Sequence, residues 1–290
     1  MNISFKTTMV ILGCSLFLSA CASDGKDKGK MIDPAYEVSK EDVEKHRNEQ
    51  APVEELYKKA AQTLKEGRNV EAAGLFDDVE RQYPYSQWAT KAQMMAGYSY
   101  YKDLKYDDAA LALDRFIQLH PGDKNIAYAY YLRALCYYEQ ISDVRRDQEM
   151  TELALYNLSL VVSRFPESKY ARDANLKIDL TRDHLAGKEM EIGRYYLIRG
   201  HYQASLNRFK KVVDLYQTTT HVPEALHRMT EAYISLGIIG EARKTAAILG
   251  HNYPGSKWYQ DSYALLEGKG TQPLAVEERG VFERTFGRIF

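Results

Sequence analysis

The sequence predicts an all-α protein, a superhelical solenoid of about five stacked helical hairpins, and two observations carry that prediction. An aromatic-Pro-x-Ser junction recurs as Tyr83-Pro84-Tyr85-Ser86, Phe165-Pro166-Glu167-Ser168 and Tyr253-Pro254-Gly255-Ser256. His120-Pro121-Gly122-Asp123 is a variant of it, and Tyr216-Gln217-Thr218-Thr219 is a version without proline. Around these junctions the apolar residues fall in register. Twelve residues before each proline slot stand Ala72, Ala109, Ala154, Ser205 and Ala242; eight before, Phe76, Leu113, Leu158, Phe209 and Ala246; five before, Val79, Phe116, Val161, Val212 and Leu249. An earlier column holds Ala60, Gly97, Ala134, Gly193 and Thr230. Self-similarity at a period of this size marks a repeat architecture.

The order of residue types has a mechanical reason. A small residue lets the two helices of a hairpin approach closely, and larger residues four and seven positions on fill the shared face. Proline stops the second helix, and the Ser or Asp after it caps the next one. The pattern resembles the tetratricopeptide repeat, with units over about 52–84, 86–121, 124–166, 170–217 and 221–254.

Successive proline slots lie 37, 45, 51 and 37 residues apart, so two units carry additions of eight and fourteen residues. The first addition falls near Ile141 to Glu149, a polar stretch predicted to be a loop. The second lengthens the helix from about Tyr170 to Arg199. Fourteen residues make about four turns, so this helix is predicted to project beyond the stack. A capping helix over 257–266 closes the last repeat, since a terminal repeat needs a polar outer face.

The N-terminus reads as an export signal over residues 1–20: Lys6 gives the charge, Met9 to Phe17 the short apolar core, and Leu18-Ser19-Ala20-Cys21 the end. Leu-Ser-Ala-Cys resembles the lipobox of bacterial lipoproteins. Cys21 is therefore the expected lipidation site. Its thiol is alkylated by a diacylglycerol, cleavage frees its α-amine for a further acyl chain, and several chains together anchor firmly. Ala22-Ser23 after it fit sorting to the outer membrane, with the chain facing the periplasm. Residues 21–51 are Lys-, Asp-, Glu- and Gly-rich and read as a flexible tether, with structure starting near Pro52, a residue suited to a first helical turn. Residues 268–290 form a linker and a short amphipathic tail, with Phe282, Phe286, Ile289 and Phe290 on one helical face.

Composition narrows the function. With 39 basic and 40 acidic residues, nothing provides the basic excess of a nucleic-acid surface. No apolar stretch reaches the roughly 20 residues a transmembrane helix needs. Of three cysteines, Cys14 leaves with the signal and Cys21 is acylated, so Cys136 has no partner and is read as a buried apolar residue. No catalytic, phosphate-binding or metal-binding motif is found, and His221 and His227, six apart, do not share a helical face. The expected function is not enzymatic, and no metal or soluble cofactor is expected.

What stands out is 23 tyrosines against two tryptophans. Tyr100, Tyr137, Tyr196 and Tyr233 share a repeat column and read as core. Tyr98, Tyr101, Tyr128 and Tyr131 on the first helices of two units are a surplus. A tyrosine offers apolar area with a hydrogen-bonding tip, which suits capture of an extended polypeptide.

Taken together, the lipobox, the polar tether and the five units resemble the BamD family of outer-membrane β-barrel assembly lipoproteins. The most telling segments are Val79 to Ser86 with Ala89, Arg194-Tyr195-Tyr196, Arg199-Gly200 and Asn207-Arg208-Phe209. The resemblance implies binding of unfolded outer-membrane clients by the N-terminal repeats, and contact with a BamA-like barrel subunit by the C-terminal ones, beside other assembly lipoproteins. It assigns Arg208, with Arg199 and Tyr195, to the partner contact. Another periplasmic repeat lipoprotein, a pilus-secretin pilot or a cell-division or envelope coordinator, is the alternative reading, and aromatic-Pro-x-Ser junctions also occur in the second of these groups.

Overall fold

The computed structural model describes the backbone of residues 40–268 and the side chains of 52–268; Cys21, the signal and the tail beyond Gly268 lie outside the described residues. Among the described residues there are eleven helices and no strand: α1 (Lys40–Lys65), α2 (Asn69–Gln82), α3 (Gln87–Lys102), α4 (Tyr106–Leu119), α5 (Ile126–Tyr138), α6 (Glu149–Arg164), α7 (Lys169–Ile198), α8 (Tyr202–Leu215), α9 (Val222–Ser235), α10 (Ile239–Asn252) and α11 (Lys257–Leu266). From α2 on, each helix packs on the next, and α3, α5, α7 and α9 also touch in sequence to form a row of first helices.

The columns found in the sequence are the core. All fifteen residues of the three columns are at most 4 % exposed. Small meets large across each hairpin: a Cβ placed on Gly97 comes within 2.8 Å of Leu113 Cγ, and one placed on Gly193 within 2.8 Å of Phe209 Cδ1. The junctions also behave as their chemistry dictates. Ser86, Ser168 and Ser256 are N-caps whose hydroxyls accept from the amides of Ala89, Ala171 and Tyr259 at 3.1, 3.2 and 3.1 Å.

Two expectations are corrected. Helix α1 begins at Lys40, and Pro52, placed by the sequence at a helix start, lies in the helix interior. Residues 40–51, read as tether, are therefore helical. Their Lys, Glu, Arg and Gln are strong helix formers, and a segment continuous with a packed helix needs no apolar face of its own. A capping pattern, Ser39-Lys40-Glu41-Asp42, was the available signal. An interior proline loses one hydrogen bond, at about 3 kcal/mol.

The second correction concerns α7. Its extra turns do not project: buried residues run along it from Ala171 to Leu197. Its first half, with Ala174 and Ile178, belongs to the core of α3–α6, and its second half, from Ala186, to the core of α8–α11. The other insertion covers the junction. In the 139–148 loop, the carbonyls of Arg145 and Arg146 each accept from Lys188 Nζ at 3.0 Å, and Val144 lies against Gly187. Asp183, one turn before Gly187, accepts from the amide and hydroxyl of Thr220 at 3.0 and 2.8 Å. Spacing reveals the size of two insertions, but not that they pack on each other.

Candidate interaction surfaces

The four surplus tyrosines converge. Tyr98 and Tyr101 on α3 and Tyr128 and Tyr131 on α5 are half-buried against the central core. They are joined by Tyr170 at the start of α7. Tyr170 stacks on Tyr131 and packs on Tyr128, both at 5.2 Å between ring centroids. Tyr131 Oη donates to Asp173, and Tyr101 Oη to Glu139 at 3.5 Å. Burial pushes the hydroxyls of Tyr101 and Tyr128 up to about 12. Burial and the Asp173 hydrogen bond raise that of Tyr131 as well. All remain neutral donors at any physiological pH. The result is a band of phenol rings crossing three helices of the first-helix row. Only the sequence positions of four members were legible; the fifth sits in another repeat.

The C-terminal trio separates into two pairs. Tyr195 is half exposed, and the Arg199 guanidinium lies over its ring at 4.3 Å. Arg208 on α8 instead donates to Glu189 Oε2 of α7 at 3.1 Å, and Lys211 donates to Glu189 Oε1 at 2.5 Å. Glu189 and Tyr195 are six residues apart, about 240° round a helix, so the pairs occupy different faces of α7. Within the chain, the carboxylate that meets Arg208 is that of Glu189. Two cations share one nearly buried carboxylate, and the cluster keeps a net positive charge. Glu189 and Lys211 carry no sequence signal, because their partners are about twenty residues away on another helix.

A second ionic chain runs from the inserted loop to the cap. Arg145 faces Glu191 at 3.7 Å. Arg194 reaches Glu191 at 3.7 Å and both Glu224 oxygens at 2.9 Å. Arg228 meets Glu224 at 3.5 Å and Glu231 at 2.8 Å. Buried His227 stands 3.6 Å from Glu231 and 2.8 Å from Ser262 of α11. Each carboxylate is held by cations, so none stands as a free acid or base. Among the described residues no group of three or more His, Cys, Asp or Glu could hold a metal. Cys136 is fully buried, donates to the Leu132 carbonyl at 3.2 Å, and has its thiol pushed by burial up to about 12.

A stack of helical hairpins in which each unit packs on its neighbours defines the class of helical repeat proteins. Comparison with known proteins gives the family. A family model described as "YfiO: Outer membrane lipoprotein" matches residues 49–249. The chain is 50 % identical over 229 residues to the outer membrane protein assembly factor BamD of Caulobacter vibrioides, covering 79 % of this chain and 75 % of the relative. It is 46 % identical over 217 residues to that of Rickettsia prowazekii, covering 75 % and 86 %. The chain belongs to the BamD family of outer membrane protein assembly factors. Among solved structures, the TPR domain of P58(IPK) is similar at 12 % identity, with a TM-score of 0.41 over 79 % of this chain and 60 % of that one.

Proposed function

We propose that this chain is a lipid-anchored, non-catalytic scaffold on the periplasmic side of the outer membrane, where it helps assemble and insert β-barrel proteins. Acyl chains on Cys21 hold it to the membrane. The band of Tyr98, Tyr101, Tyr128 and Tyr131 takes unfolded clients, and the C-terminal repeats take a BamA-like barrel subunit through Tyr195, Arg199 and Arg208, with other assembly lipoproteins beside it. The observation that carries this is the tyrosine band itself. Five phenols from three repeats meet on adjoining helices, each offering apolar ring area with a hydroxyl at its tip, which matches an extended chain rather than a small ligand. Membership of an outer-membrane assembly family supports the setting.

The test is capture of a urea-denatured barrel protein by the full chain in detergent. Tyr98→Ala with Tyr128→Ala is expected to weaken capture about tenfold or more, as loss of buried aromatic anchors does. Both rings also pack on the core, so Tyr98→Phe with Tyr128→Phe controls for folding. Unchanged capture by the alanine pair, in protein of normal helix content, counts against the client reading.

A further inference from the structure

The tyrosine band does not end at Tyr131. Two lines of contact lead from it to a cavity of about 360 Å³ lined by Tyr138, Glu139, Ile141, Leu180, Thr181 and His184. Along one, Tyr101 donates to Glu139, which lines the cavity. Along the other, Tyr131 donates to Asp173, Asp173 pairs with Lys177 at 3.5 Å, and the Lys177 ammonium lies over the Tyr138 ring at 4.9 Å. Both insertions build this cavity: the 139–148 loop supplies Glu139 and Ile141, and the long helix supplies Leu180, Thr181 and His184.

Two features of the cavity are unsatisfied. Leu180 is 61 % exposed, and Leu176 one turn before it is 63 % exposed. Both are large apolar side chains left to solvent in the first half of α7. His184 Nε2 is shielded from solvent and has no hydrogen-bond partner, a state that costs free energy unless a ligand supplies one. The combination of an apolar wall, contacts that lead to the band and one unpaired ring nitrogen fits a peptide residue. The side chain fills the cavity, and a backbone group of the same segment meets the nitrogen.

We propose that this cavity is the anchor subsite at the end of the tyrosine band, taking one large apolar side chain of the bound extended segment, with His184 Nε2 hydrogen-bonded to that segment's backbone. The inference rests on the client reading above and adds a position and a residue preference to it. It makes the band directional, because a segment is read from the fixed end.

The experiment uses the full chain in detergent and two fluorescein-labelled twelve-residue peptides of alternating apolar and polar residues, identical except for one central Phe or Ala. Binding is followed by fluorescence anisotropy. Wild type is expected to prefer the Phe peptide by about tenfold, the scale of burying one large apolar side chain. Leu180→Asp, a change at an exposed position, is expected to abolish that preference while leaving affinity for the Ala peptide unchanged. A preference that survives Leu180→Asp and Ile141→Asp overturns the subsite, even where Tyr98→Ala with Tyr128→Ala weakens both peptides and so upholds the band. Failure of the tyrosine pair to affect either peptide overturns the client reading instead. An oligomer that Leu180→Asp dissolves in sedimentation assigns the leucines to a second copy of the chain, which also overturns the subsite.

Discussion

Gly193 of α7 and Phe209 of α8 occupy one space: the Phe209 ring, fully buried, lies where a side chain on residue 193 would begin. In a helix interior alanine is favoured over glycine by about 1 kcal/mol, but overpacking a closed site costs about 1–3 kcal/mol. Gly193→Ala is therefore expected to destabilise, lowering Tm by several degrees. Gly74, in α2, has nothing within 4 Å of a new Cβ. Gly74→Ala is expected to raise Tm by about 2–4 °C. Opposite signs for one chemical change, read by thermal circular dichroism, test the packing.

Glu231 sets an acid limb. Burial alone pushes its carboxyl up, but hydrogen bonds and charge from His227 and Arg228 outweigh that and leave it below the ordinary 4.5. A lowered carboxyl contributes stability that is present above 4.5 and lost as pH falls through the folded value. Glu231→Gln is expected to lower the urea midpoint at pH 7, with the gap to wild type closing towards pH 3. A constant gap would contradict the assignment.

Cys136 is chemically silent while the fold holds. Only the thiolate reacts, and burial raises this thiol to about 12. Treatment with iodoacetamide at pH 8, followed by peptide mapping, is expected to leave Cys136 unmodified in native protein and modify it fully in 6 M guanidinium.

Arg208 carries two duties that a charge reversal confuses. Arg208→Glu would set a second carboxylate against Glu189, so a loosened complex could reflect a damaged α7–α8 contact. Arg208→Ala leaves Lys211 at 2.5 Å to hold Glu189. Its Tm is expected to fall by no more than a few degrees, while binding to a BamA-like subunit weakens at least tenfold. Intact binding would remove Arg208 from the partner surface.

The repeat register was legible because it has a cause that acts over short sequence distances. Gly97 with Leu113 and Gly193 with Phe209 are each sixteen residues apart in one hairpin, and the serine caps act over three. Loop and helix lengthening were legible from spacing. What spacing lacks is the third dimension: that α7 is covered along its length, that Arg208 turns to Glu189, and that Tyr170 completes the aromatic band. Nor does spacing show that the surplus tyrosines are partly core, packed against the central cluster. Pro52 misled for a different reason. Proline marks helix starts on average, but a strongly helical segment before it can absorb the lost bond.

The facing insertions constrain how such a chain can change in length. The carbonyls of Arg145 and Arg146 accept from the Lys188 ammonium on the lengthened helix, and Val144 of the loop lies against Gly187 of that helix. Trimming either alone would strip the other of its shelter. Shorter or longer versions are thus expected to gain or lose both segments together, as matched halves of one inherited joint.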